Sequence, residues 1–209
     1  MKNIFFIMAC LLFISSCSKP LFKASWTKET APEFFKATFE TTKGSFQIEA
    51  HRQWSPKAVD RLYQLIHKGA FTNIAIYRVI PNFVAQFGMQ SDTLINTKWQ
   101  SYKVPDEPVI KSNDSGTVAF ARAGVNSRSN DIYINLKDNH RLDTIAYNDV
   151  KGFPVIAVVV SGMKVVQSFY NTYKEEPMEK AQPGLSNWNN YFKANYPKLD
   201  YINKAYIVK

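Results

Sequence analysis

Ile76-Tyr77-Arg78-Val79-Ile80-Pro81-Asn82-Phe83-Val84-Ala85-Gln86-Phe87-Gly88 consists of two apolar, strand-like runs on either side of a Pro-Asn turn signal. Its only strongly polar long side chains are Arg78 and Gln86. Strand alternation puts Tyr77 and Val79 on one face and Arg78 and Ile80 on the other, so the arginine shares its face with an aliphatic neighbour. Spacing alone is equally consistent with an arginine on a solvated outer face, where most arginines sit.

The flanking segments extend the strand reading. Phe35 to Thr41 and Ser45 to Glu49 alternate as strands around Lys43-Gly44, where glycine supplies the backbone conformation of a tight hairpin. Ser55-Pro56 is a helix start, with serine at the cap and proline at the first position. Ala58, Leu62, Leu65 and Ile66 then recur at helical spacing until Lys68-Gly69 closes the turn, which predicts a helix from Pro56 to Lys68. Gly116 to Phe120 and Asp131 to Leu136 alternate as strands, joined by a loop through Ala121-Arg122-Ala123. Phe153 to Val160 reads as a buried strand, Val165 to Tyr173 as a second amphipathic helix, and Leu199 to Val208 as a closing strand. After Trp99 and Tyr102, Val104 to Pro108 reads as a turn-rich loop in which Asp106 and Glu107 are solvated. Lys174 to Pro197 is polar and aromatic, with a turn at Gln182-Pro183-Gly184. Many strands with two helices predict a mainly β fold, a closed antiparallel eight-stranded barrel capped by two helices.

Composition narrows the possibilities. The chain has 209 residues, 45% of them hydrophobic, with 15 Phe and 11 Tyr, enough for one domain with a sizeable core. Its net charge of +9 raises nucleic acid or anionic surfaces as partners, but the basic residues form no run of four. A generally basic surface is the expectation, with no nucleic-acid partner and no groove-reading motif. His51, His67 and His140 share no ligand spacing, and both cysteines precede residue 18. No metal, cofactor or disulfide is therefore expected.

Both cysteines lie in the first seventeen residues, Cys10 within the leader and Cys17 just after it. Lys2, the apolar run Ile4 to Ile14 and two serines describe a secretory signal too short to span a bilayer. Ile14-Ser15-Ser16-Cys17 resembles a bacterial lipobox, the alternative being an ordinary signal peptide with an incidental cysteine. The expected organisation is a signal peptide over 1–16, a lipidated Cys17 and polar tether over 17–33, and a folded domain over 34–209. Ser18 rather than Asp after the cysteine points to an anchor in the outer membrane, facing the periplasm, with several acyl chains holding the domain at the bilayer.

Tyr77-Arg78-Val79-Ile80 through Gln86 resembles the signature segment of the cyclophilins, the peptidyl-prolyl cis-trans isomerases. Gly116 to Gly124 and Asn126 to Ile134 resemble the other half of the cyclophilin groove, in the same order along the chain. The hairpin-plus-helix prelude fits too, so the resemblance covers about Phe35 to Val208. It implies a prolyl isomerase acting on proline-containing polypeptide clients, as a monomer. Arg78 would donate to the prolyl nitrogen and Gln86 would hold the carbonyl side. Phe83, Val84, Tyr133, Leu142 and Phe153 would form the proline slot, Ala121, Arg122 and Ala123 the backbone rim, and Asp131 a further substrate contact.

Several positions depart from the family pattern. Tyr77 replaces the usual histidine, Val84 a methionine, Phe87 a glycine, Tyr133 a phenylalanine and Asp131 a glutamine. Arg141 stands where tryptophan or phenylalanine is usual. A carboxylate at 131 could orient the Arg78 guanidinium or compete with substrate for its donors. The apolar slot residues would equally suit a barrel core. A binding module with poor turnover, and an envelope lipoprotein whose barrel is only a scaffold, are the competing readings.

Overall fold

The computed structural model describes residues 22–182 and 184–208. The expected signal peptide and Cys17 lie outside the described residues.

The chain enters through a single 3-10 turn, Ala24–Lys28, and forms a hairpin of β1 (Phe34–Thr41) and β2 (Gly44–His51). Thr41 pairs with Gly44 across a two-residue loop, and Gly44 takes φ +120°, which disfavours any side chain. Helix α1 (Pro56–His67) follows, then β3 (Ile74–Ala75), β4 (Arg78–Ile80), β5 (Val84–Phe87) and helix α2 (Thr93–Ser101). Strands β6 (Thr117–Phe120) and β7 (Ile132–Asn135) precede the small β8 (Ala146–Tyr147) and β9 (Val150–Lys151). The chain ends with β10 (Val155–Ser161), short helices α3 (Met163–Gln167) and α4 (Glu176–Glu179), helix α5 (Trp188–Asn195) and β11 (Tyr201–Val208).

Nine strands form one antiparallel sheet in the order β3-β11-β1-β2-β10-β6-β7-β5-β4, with β8-β9 apart. This corrects the closed eight-stranded barrel. The sheet curls into a half-barrel whose edges are β3 and β4, and only Ile76 and Tyr77 separate those two strands in sequence. The curl brings the edges within two residues of each other, yet β3 pairs with β11 and β4 with β5, so no ladder closes the seam.

Inward-facing residues fill the curl. Phe39 stacks on Phe46 at 4.9 Å between ring centroids, and Phe71 and Phe87 pack on Phe39 at 5.8 and 5.9 Å. Phe87, the departure from glycine, thus serves the core on the inward face, opposite Gln86. Helix α1 buries Ala58, Val59, Leu62, Leu65 and Ile66 against the same core, as its periodicity predicts. Its C-terminus is closed by Gly69 at φ +71°, with the N–H groups of Gly69 and Ala70 donating back to Ile66 and Leu65.

Other expectations need correction. Ser55 occupies the cap position but does not cap α1 with its own side chain. Its hydroxyl donates to the Glu107 carboxylate (2.5 Å), whose oxygens accept from the Lys57 and Ala58 N–H groups at 2.8 and 3.2 Å. Glu107 also pairs with the buried Arg128 at 3.1 Å, so it is a structural cap rather than a solvated turn residue. Helix α2, ahead of that turn-rich loop, was not expected; it is capped by the Asp92 carboxylate on Leu94 and Ile95 N–H. The helix expected over 165–173 is only α3, because the Ser168 hydroxyl bonds back to Val165 and the Tyr170 N–H is taken by the Asp200 carboxylate.

Residues 22–33, expected as part of a tether, lie on the domain. The Phe22 ring packs on Trp99 at 5.2 Å and on Tyr102 at 5.5 Å, and Ala31 is buried. The polar and aromatic stretch over 174–197 supplies α4 and α5. Phe192 and Tyr196 there join Ala75, Tyr77, Met89 and Leu199 in a second apolar cluster that covers the seam.

Candidate active site

Strand register assembles the site. Arg78 pairs with Gln86, Gln86 with Tyr133, and Tyr133 with Ala119, a single row across β4, β5, β7 and β6. Alternation keeps this row, with Val84, on the convex face, while Val79, Ala85, Phe87, Ile132, Ile134 and Val118 face the core. Leu142 from the 3-10 turn His140–Asp143, Phe153 ahead of β10 and Phe83 from the Pro81-Asn82 turn close over it. Asn82 sits at φ +56°, a conformation asparagine tolerates better than most residues.

The result is a cavity of about 350 Å³ lined by Arg78, Phe83, Val84, Gln86, Ala121, Arg122, Tyr133, Leu142, Tyr147 and Phe153. Val84, Ala119, Tyr133 and Leu142, with Phe83, Ala121 and Phe153 against them, form an apolar cluster separate from the main core. That separation distinguishes slot residues from core residues, which composition could not do. Tyr147 was missed, because its short β8 strand carries no periodic signal.

Three guanidinium groups rim the slot. Arg78 lies 5.7 Å from the Phe83 ring centroid, Arg141 4.8 Å from the same ring, and Arg122 4.2 Å from the Phe153 ring. Arg122 also donates to the Val150 carbonyl at 2.8 Å, and burial lowers its pKa from the ordinary arginine value. Beside it, the Ala121 N–H donates to Asp131 O, the Ala123 N–H to the Ser127 hydroxyl, and Ala123 O accepts from Asn148. Ala123 lines neither this cavity nor the one next to it, so of the trio it is Ala121 and Arg122 that face the slot.

A network of asparagines holds the loops, and sequence reading missed it. Asn113 donates to Asp143 and to the Phe153 carbonyl, Asn135 donates to Asn113, and Asn139 donates to the Phe83 carbonyl at 2.9 Å. The Tyr133 hydroxyl donates to Asn113 at 3.4 Å, the partner its extra oxygen requires, and burial pushes its phenol far above the usual range. Residues 113, 135 and 139 show no common period, and only folding makes them adjacent.

Arg78 is engaged from one side. Its Nη1 donates to Gln86 Oε1 at 3.2 Å, Gln86 Nε2 donates to the Tyr77 hydroxyl at 3.0 Å, and that hydroxyl donates to Asp131 Oδ1 at 2.9 Å. Asp131 therefore reaches Arg78 only through two intermediates. It does not line the slot but a neighbouring cavity of about 480 Å³ that shares Arg78 and Gln86 and is walled by Met89, Gln100, Glu175 and Met178.

Among the described residues Asp114, Asp138 and His140 also converge, a grouping their spacing did not suggest. Asp114 is already paired with Lys111 and His140, and Asp138 accepts from the Ser115 N–H, so the group is accounted for by its own contacts.

Comparison with known proteins places this geometry. Peptidyl-prolyl cis-trans isomerase-like 1 of Aspergillus fumigatus is 29% identical over 132 residues, 62% of this chain and 78% of that protein. Peptidyl-prolyl cis-trans isomerase cypE of Dictyostelium discoideum is 28% identical over 151 residues, 68% of this chain and 90% of that protein. A crystal structure of a Cryptosporidium parvum cyclophilin type peptidyl-prolyl cis-trans isomerase superposes with a TM-score of 0.59 at 16% identity, covering 84% of this chain and 98% of that one, a likeness of fold. Residues 36–185 match the family described as cyclophilin type peptidyl-prolyl cis-trans isomerase/CLD, and the chain belongs to that family.

Proposed function

We propose that the protein catalyses cis-trans isomerisation of Xaa-Pro bonds in polypeptides. The partial double bond of the amide sets a barrier of about 20 kcal/mol, and lowering it requires no bond to heavy atoms to be made or broken. What is required is an apolar slot that grips the proline ring and a donor aimed at the prolyl nitrogen. That nitrogen becomes a better acceptor as the amide twists, so a guanidinium there stabilises the twisted state more than either planar one. Arg78 is the donor in this reading, Gln86 holds the carbonyl side, and Phe83, Val84, Tyr133, Leu142 and Phe153 grip the ring. The observation that carries it is Arg78 at the mouth of an apolar cavity of about 350 Å³ outside the main core.

A second reading is a module that binds proline-containing peptides with poor turnover. It draws support from the commitment of an Arg78 donor to Gln86 and from the Arg122 guanidinium over Phe153, which fills part of the rim. One experiment separates the two. The domain and its Arg78→Ala variant are compared in a cis-to-trans assay on a short Xaa-Pro peptide, with peptide affinity measured alongside. The isomerase reading expects acceleration that falls at least about a hundredfold in the variant with affinity changed little. Equal, negligible rates with retained affinity would favour the binding module.

The location and clients belong to the same proposal. The sequence Ile14-Ser15-Ser16-Cys17-Ser18 supports a lipid-anchored protein of the cell envelope, facing the periplasm from the outer membrane, with clients that fold there.

A further inference from the structure

We propose that Tyr77 and Asp131 are positioning residues for Arg78: an ionised carboxylate at 131 fixes the direction of each hydrogen bond in the chain that ends on the guanidinium. The inference rests on the isomerase reading and assigns a role to two positions that depart from the family pattern.

A carboxylate only accepts. Ionised Asp131 therefore takes the Tyr77 proton, which leaves the Tyr77 oxygen to accept. Gln86 must then present its NH₂ to Tyr77 and its carbonyl to Arg78, the orientation found. A protonated Asp131 can instead donate to Tyr77. The tyrosine proton is then free to turn to Gln86, whose carbonyl would face it, and the amide NH₂ would face the guanidinium. Two sets of N–H groups do not bond, and Arg78 loses its tie. The relay thus has two states, set by one proton.

The tyrosine is suited to the task because its ring is fixed. Tyr77 is buried at the seam between the sheet edges and stacks on Phe192 of α5 at 6.1 Å and 12°. The hydroxyl is therefore placed by packing from an element that the signature segment does not contain. Asp131 is faced by Tyr77, by Gln100 of α2 and by Lys103, and across the shared cavity by Arg78, Glu175 and Glu179. Burial raises its carboxyl to about 6, against the opposing pull of Tyr77, Lys103 and Gln100, so the two states exchange just below neutral pH. No histidine lines either cavity among the described residues, and Asp131 is the carboxylate there that bonds directly to the relay, through Tyr77.

Isomerase rate and peptide affinity measured from pH 5 to 8 on the wild type, Tyr77→Phe and Asp131→Asn test this. Tyr77→Phe keeps the ring on Phe192 and removes the relay. It is expected to lower kcat about tenfold with peptide affinity unchanged, and to flatten the pH profile. The wild-type rate is expected to fall below a midpoint near 6 while circular dichroism stays native, and Asp131→Asn is expected to abolish that fall. An active wild type with unaltered kcat in Tyr77→Phe, or an acidic limb that persists in Asp131→Asn, would overturn the relay alone. An inactive wild type would instead remove the isomerase reading on which it rests.

Discussion

Asp131 holds its charge against burial, and that opposition has a consequence for folding. Its carboxyl sits at about 6 in the fold, above the ordinary value of 3.8. A raised acid favours the folded state when protonated, so the stabilisation is fully present below about pH 4 and lost as pH rises through 6. Asp131→Asn is therefore expected to be more stable than wild type at pH 7.5, by on the order of 1–3 kcal/mol, and equal to it near pH 4. Urea unfolding at both pH values measures this, and a variant no more stable at pH 7.5 would refute it. The same carboxylate that orients the relay thus works against stability, as polar groups at functional sites commonly do. The signature stretch made Arg78, Gln86 and Phe83 legible as a group. The partnership of Tyr77 with Asp131 was not, because the two are 54 positions apart and alternation places Tyr77 on the face away from Arg78. Tyr77 escapes that alternation by lying just outside β4, in the seam.

Elements with a wide apolar face were readable, and those anchored by one or two side chains were not. Helix α1 buries five aliphatic residues at regular spacing, whereas α2 buries only Asn96 and Trp99 and leaves Leu94 exposed. The cap of α1 illustrates the limit further. Ser55-Pro56 announced the helix start correctly, but the N–H groups are satisfied by Glu107 from some fifty residues away. Glu107 is also the carboxylate partner of Arg128, which is 1% exposed. Removing it leaves a buried guanidinium without its counter-charge and α1 without its cap. Glu107→Ala is expected to lose about 3–5 kcal/mol in chemical denaturation. Ser55→Ala, which removes one donor to the same carboxylate, is expected to lose about 1 kcal/mol. A Glu107→Ala loss under 1 kcal/mol would show that α1 does not depend on this contact.

At the scale of the whole molecule, periodicity could count strands but could not say whether the sheet closes. Closure depends on whether β3 and β4 exchange hydrogen bonds, and the seam is instead covered by Phe192, Tyr196 and Leu199 from a segment with no clear period. The other end of the chain bears on the proposed anchor. The expected tether ran over 17–33, but the chain is already packed on the domain at Phe22, against Trp99. Five residues from Cys17 to Phe22 reach at most about 18 Å. If Cys17 is lipidated, the domain is held close against the bilayer rather than on a long leash. Full-length protein expressed in a diderm bacterium with labelled palmitate is expected to take up label and sediment with membranes, and Cys17→Ser to do neither. Inserting twenty Gly-Ser residues after Ser18 is expected to leave lipidation intact and to make the junction ahead of Phe22 far more sensitive to protease in isolated membranes. Absence of label from the wild type would remove the anchor, and a junction equally sensitive with and without the insert would remove the close approach.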